Sequence, residues 1–148
     1  MIVRRETLLP APPREVWRTV SDPARLSAWW PGVSRVEDVS PEAWTKVLVS
    51  PKGKAVRADY TRVEAEEPER LLWRHEVDAS PFERILSFST TEIRLEPRDE
   101  GTLVRITLDQ RPRGWARFSP LQLRAAASRQ VTGALEGLRA LLGPEDGR

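Results

Sequence analysis

The chain contains no cysteine. That excludes disulfides, zinc–thiolate centres and thiol nucleophiles. It has one histidine, His75, so none of the imidazole pairs or triads that hold metals can form. No GxSxG elbow occurs to expose an activated serine. The eight glycines are scattered and build no phosphate-cradling loop. Long apolar runs are missing too. Charges interrupt the opening MIVRRETLLPAP, so no signal peptide or membrane span is read there, and the cytoplasm is the expected location. Lysine is scarce, at 46, 52 and 54, and the basic side is otherwise arginine. Acid is absent from Gln110 to Leu135, where Arg111, Arg113, Arg117, Arg124 and Arg129 surround Trp115 and Phe118. These absences exclude most hydrolase, metalloenzyme and nucleotide-dependent classes. No cofactor and no metal is expected.

What is present fits one α+β domain. At 148 residues the chain is long enough for a full core. The expected domain runs over 1–144, with 145–148 a free tail. Residues 2–9 read as a strand. Pro12 and Pro13 preset φ for a helix in which Val16, Trp17 and Val20 share a face. Asp22-Pro23 caps a second short helix carrying Leu26, Trp29 and Trp30, which Pro31-Gly32 breaks. The pattern then turns to strands over 33–39, 44–49, 57–65, 71–77, 84–96 and 102–109, separated by Pro- and Gly-containing turns. Connections this short favour antiparallel neighbours. A closing helix over 120–142 has Ala127, Val131, Leu135, Leu138 and Leu142 in one stripe. At about 35 Å it is long enough to cross the concave face of the sheet.

Several residues are candidates for a cavity between helix and sheet. Period-two alternation places Leu71, Trp73, His75 and Val77 on one face, which Trp and Val mark as inward. His75 is then either a core imidazole satisfied by the protein or a polar anchor and acid–base group. Trp29 and Trp30 stand about 100° apart on a helix, so each is expected to be only partly buried, one packed on the sheet and one at the cavity entrance. Trp44 and Tyr60 lie on strands and can face either way. Glu92 shares a strand face with Leu86, Phe88 and Thr90 unless a bulge near Ser89 reverses the parity. Arg124 lies seven positions before Val131 on the helix's apolar side. It either snorkels to solvent or meets an anionic ligand group at the cavity mouth. Trp115 and Phe118 occupy a Gly-containing segment that reads as a lid, as a membrane-facing loop or as a turn clamped in the core.

The order of elements resembles the START-like, or helix-grip, superfamily. The segments APPREVWRTVSDPARLSAWWPGV (11–33), EPERLLWR, EPRDEGTLVRITL and ALEGLRALL are similar to the polyketide cyclase/dehydrase and lipid-transport branch of the SRPBCC proteins. The resemblance covers essentially the whole chain. It implies a curved, about seven-stranded antiparallel sheet wrapped around the C-terminal helix, as in the pollen-allergen type. It also implies a cavity for a small hydrophobic or amphipathic ligand such as a lipid, quinone or polyketide. The expected cavity residues are Trp30, Trp44, Tyr60, Trp73, His75, Phe88, Glu92, Trp115, Phe118, Arg124 and Val131. Such folds share no catalytic triad, and His75 is the lone candidate for catalysis. Two alternatives stay open. One is a cyclase/dehydratase with His75 moving protons near neutral pH. The other is a chaperone-activator or ribosome-associated module using the arginines of 111–129. A small ligand is the expected partner and an anionic membrane surface a transient one. Nucleic acid is not expected, and the oligomeric state is left open.

Overall fold

Strand order explains where the interior lies. The computed structural model describes residues 1–50 and 52–143; the expected tail over 145–148 lies outside them. Its elements are β1 (Ile2–Leu9), α1 (Pro13–Val20), α2 (Leu26–Trp29), β2 (Val33–Glu37), β3 (Ala43–Val49), β4 (Ala55–Glu66), β5 (Arg70–His75), β6 (Leu86–Arg98), β7 (Gly101–Pro112) and α3 (Pro120–Leu142). The seven strands form one antiparallel sheet in the order β1-β7-β6-β5-β4-β3-β2. Every neighbour except β1 is adjacent in sequence, because each turn is too short for a crossover. The first strand closes on the last with an unbroken register from Ile2↔Asp109 to Leu9↔Thr102.

Local chemistry sets the boundaries. Proline opens α1 at its first position, with Glu15 in the first turn, where the free N–H groups favour an acid. Asp22 accepts a hydrogen bond from the Ala24 amide at 3.0 Å. The helix expected over 23–30 is shorter and mixed: a 3-10 turn at Pro23–Arg25 runs into α2. β2 stops two residues early because Asp38 takes a φ of 53°, which a strand does not accommodate. The strand expected from 84 starts at Leu86, since Ser80 caps a 3-10 turn over Pro81–Arg84.

The long helix packs chiefly on β1, β7 and α2. Val131, Ala134 and Leu138 are fully buried on its underside. It therefore covers the β1–β7 end of the concave face instead of crossing all of it. Close approach to α2 depends on glycine: a Cβ at Gly137 would lie 2.2 Å from the Trp29 carbonyl oxygen. The Trp29–Trp30 pair is thereby seated over the other half of the face, above β3, β4 and β5. No helix among the described residues is long and apolar enough to cross a membrane.

Candidate functional site

The concave half covered by the Trp pair is an aromatic chamber. Cross-strand register builds its floor. Trp44 pairs with Tyr60, and Tyr60 pairs in turn with His75, so the three side chains form a row across β3, β4 and β5. Trp44 and Tyr60 stack at 6.2 Å with planes 5° apart, and Tyr60 stacks on His75 at 4.7 Å. Trp73, two residues before His75 and so on the same face, meets Trp44 edge-on at 5.4 Å. Trp30 and Trp29 form the roof, 6.1 and 6.4 Å from Trp73.

Both roof tryptophans are buried, at 3% and 5% exposure, where each was expected to be only partly so. The 100° helical step does not apply to the pair. Trp30 has left the helix for extended backbone (φ −87°, ψ 127°), and its ring turns inward beside that of Trp29.

In the middle of these rings lies Lys46, 2% exposed. It stands two residues from Trp44 on β3, opposite Ala58, whose small side chain leaves room for it. Its Nζ lies 4.3 Å from the Trp30 ring centre, 4.2 Å from Tyr60 and 5.6 Å from Trp73. No carboxylate among the described residues pairs with it. Ring faces attract an ammonium, but burial dominates and pushes the amine down to about 7. His75 is pushed down to about 4, first by burial and then by the charge of Lys46. Burial holds the Tyr60 phenol above its ordinary value. Near neutral pH the imidazole is therefore neutral. Lys46, not His75, is the group that titrates there. The sequence reading passed over Lys46, although its even spacing from Trp44 marked it as facing the same way.

The chamber also holds polar atoms that no protein group satisfies. The indole N–H groups of Trp29, Trp44 and Trp73 and the Nε2 of His75 are buried without a protein hydrogen-bond partner. Buried polar atoms normally find one.

Other expected cavity residues lie elsewhere. The bulge falls between Leu86 and Phe88, so beyond it Ser89, Thr91, Ile93 and Leu95 are the buried residues of β6. Phe88 and Glu92 take the opposite face. There the Arg111 guanidinium lies 4.7 Å from the Phe88 ring. Glu92 accepts a hydrogen bond from Arg70 Nε at 2.6 Å, an ion pair on the outer face and not a ligand handle. Arg124 donates to the Ile2 carbonyl at 3.0 Å and is exposed, the snorkelling alternative. Trp115 and Phe118 are 67% and 79% exposed, so neither clamps a turn in the core. Val131 is buried under α3 at the other end of the core.

Of three hollows among the described residues, one touches the chamber, at His75. It has a volume of about 240 Å³ and lies where β5 and β6 separate, lined by His75, Val77 and Ser89 together with Arg74, Glu76 and Phe88 of the outer face. Phe82, from the 3-10 turn over Pro81–Arg84, covers His75 edge-on at 4.7 Å. A wider cleft of about 600 Å³ runs beside the start of β4 between Val56, Arg57, Asp59 and Ser80-Pro81. A third, of about 210 Å³, lies at the other end of the concave face between β1 and α3, lined in part by Thr7, Leu135 and Arg139.

The family described as polyketide cyclase/dehydrase and lipid transport matches residues 1–143. No curated protein matches the sequence. Among solved structures, a START superfamily protein from Mycobacterium smegmatis superposes with a TM-score of 0.76 at 12% identity, over 95% of this chain and 96% of its own. The Zhui aromatase/cyclase from a Streptomyces species gives 0.76 at 17% identity, over 96% and 93%. The di-domain ARO/CYC StfQ of the steffimycin biosynthetic pathway gives 0.77 at 14% identity, with 95% of this chain covering 50% of that one. The chain thus spans half the length of that di-domain protein. At these identities the likeness shows the fold.

Proposed function

The chain belongs to the polyketide cyclase/dehydrase and lipid-transport family, and from that premise we propose that it binds a small apolar or amphipathic molecule in the chamber under Trp29 and Trp30. One observation carries this reading: three buried indole N–H groups and an imidazole nitrogen gather around the same rings without protein partners. An unmet buried donor costs about 1–3 kcal/mol. A ligand that accepts from these groups recovers that cost and contributes its own apolar burial, at roughly 25 cal/mol per Å² before ordering costs. The hollow that His75 lines is the approach. Binding is tested by intrinsic fluorescence, since Trp29, Trp30, Trp44 and Trp73 all report on the chamber. A panel of fatty acids, quinones, flavonoids and phospholipids should contain at least one saturating quencher. No response across the panel, and no retained small molecule in native mass spectrometry, overturns the reading.

A second surface favours delivery at a lipid interface. Trp115, Phe118 and Leu121 are close in sequence and all exposed, at 67%, 79% and 82%, with Arg113, Arg117 and Arg124 on the same acid-free stretch. Aromatic and aliphatic tips ringed by arginine suit an anionic bilayer surface. Co-sedimentation with vesicles rich in phosphatidylserine, absent with phosphatidylcholine alone and lost in Trp115→Ser/Phe118→Ser, is the expected result. Equal binding to both vesicle types, or none to either, refutes it.

A further inference from the structure

We infer that Lys46 anchors an ionised oxygen, so that the chamber takes an aromatic or polycyclic ligand carrying a carboxylate, phenolate or enolate. This rests on the binding reading above and names its ligand class. The polar inventory of the chamber is one-sided. The Lys46 ammonium and the indole N–H groups of Trp29, Trp44 and Trp73 can donate and cannot accept. They converge on rings whose centres lie within 6.4 Å of Trp73. His75 Nε2 alone among the unpartnered atoms can accept, in one tautomer. A chamber built this way suits an acceptor-rich guest.

Charge points the same way. Lys46 is buried without a carboxylate, and Glu92, the acid expected to face inward, is engaged by Arg70 on the outer face. Asp59 is likewise turned away, accepting from Thr45 at 2.6 Å. Glu76 accepts from Thr61 at 2.6 Å and from Arg74 at 2.8 Å. Each nearby acid is thus committed elsewhere, and the missing counter-charge has to come with the ligand. A buried lysine whose partner is a neutral ring pays for desolvation without an ion pair; an anionic guest supplies that pair. The rings around the Lys46 amine suit an aromatic body for the same guest.

The test compares 2-naphthoate with 2-naphthalenemethanol, which share a ring system and differ in the ionised oxygen. Affinities are read by calorimetry and tryptophan fluorescence on the wild type, Lys46→Met and Lys46→Gln. The wild type should bind the carboxylate at least about tenfold more tightly than the alcohol, as for a charge-assisted hydrogen bond. Both variants should bring the two probes within about threefold, chiefly through loss of affinity for the carboxylate. Circular dichroism checks that each variant is folded, and either folded variant suffices. Equal wild-type affinities, or a preference that survives removal of the amine, overturns the role of Lys46 and leaves the binding reading standing. No binding of either probe to the wild type overturns this ligand class, while the panel above decides the binding reading separately.

Discussion

Replacing Lys46 by Met should stabilise the protein near neutral pH, and the size of the gain follows from the chamber's electrostatics. The amine titrates at about 7 in the fold against 10.5 ordinarily. Burying it protonated therefore costs about 5 kcal/mol, at roughly 1.4 kcal/mol per unit. At pH 7, where half the amines are already neutral, the penalty is about 4 kcal/mol. Met fills a similar volume and makes favourable sulfur–ring contacts, so nearly all of that should appear as stability. For a chain of this size the melting temperature should rise by roughly 10 °C. The pH dependence gives the sign. Between about 7 and 10.5 the unfolded chain holds the Lys46 proton and the folded chain does not, so wild-type stability climbs with pH. The gap to Lys46→Met should shrink from about 4 kcal/mol at pH 7 to about 1 kcal/mol near pH 9.5. Above that range the raised Tyr60 phenol opposes the trend, because the folded chain then keeps a proton that the unfolded one loses. Urea unfolding across this range, followed by circular dichroism, measures the gap. A variant less stable than wild type at pH 7, or a gap that does not narrow with pH, refutes the reasoning.

Two further outcomes are expected. His75 is depressed to about 4 from 6.5, so the unfolded chain takes up its proton first as pH falls. Stability should decline between about pH 6.5 and 4 by up to roughly 3 kcal/mol. His75→Gln should lose that component in acid unfolding curves, and an unchanged slope contradicts the assignment. Gly137→Ala puts a Cβ 2.2 Å from the Trp29 carbonyl oxygen and 2.9 Å from its Cα. Backbone must move, at about 1–3 kcal/mol, and near-ultraviolet dichroism of the roof tryptophans should change with it. A silent substitution would mean that α2 and α3 are not in close contact.

Regular periodicity made most of the fold legible. Ile2–Leu9 and Pro120–Leu142 carry strong patterns with proline and glycine punctuation, and both formed where expected. Alternation on β5 placed Trp73 and His75 inward, as found. Legibility failed where one residue shifts a register. The bulge between Leu86 and Phe88 sent Phe88 and Glu92 outward, and nothing in LSFSTTE marks which residue is extra. Trp30 was misjudged because its backbone leaves the helix one residue before Pro31, as residues ahead of proline tend to do. Lys46 was missed for a different reason. A lysine in a strand is ordinarily solvated, and it takes the neighbouring strand's Ala58 and the roof's Trp30 to enclose it. Those contacts are made by residues far apart in the chain.

The most direct measurement is a nitrogen–proton correlation spectrum of the six indole N–H groups during titration with 2-naphthoate. The indoles of Trp29, Trp44 and Trp73, now without protein acceptors, should shift together as they donate to the guest, while Trp17 and the exposed Trp115 stay in place. Movement confined to Trp115, or a titration that leaves Trp44 and Trp73 unshifted, would place any bound molecule outside the chamber and contradict the account.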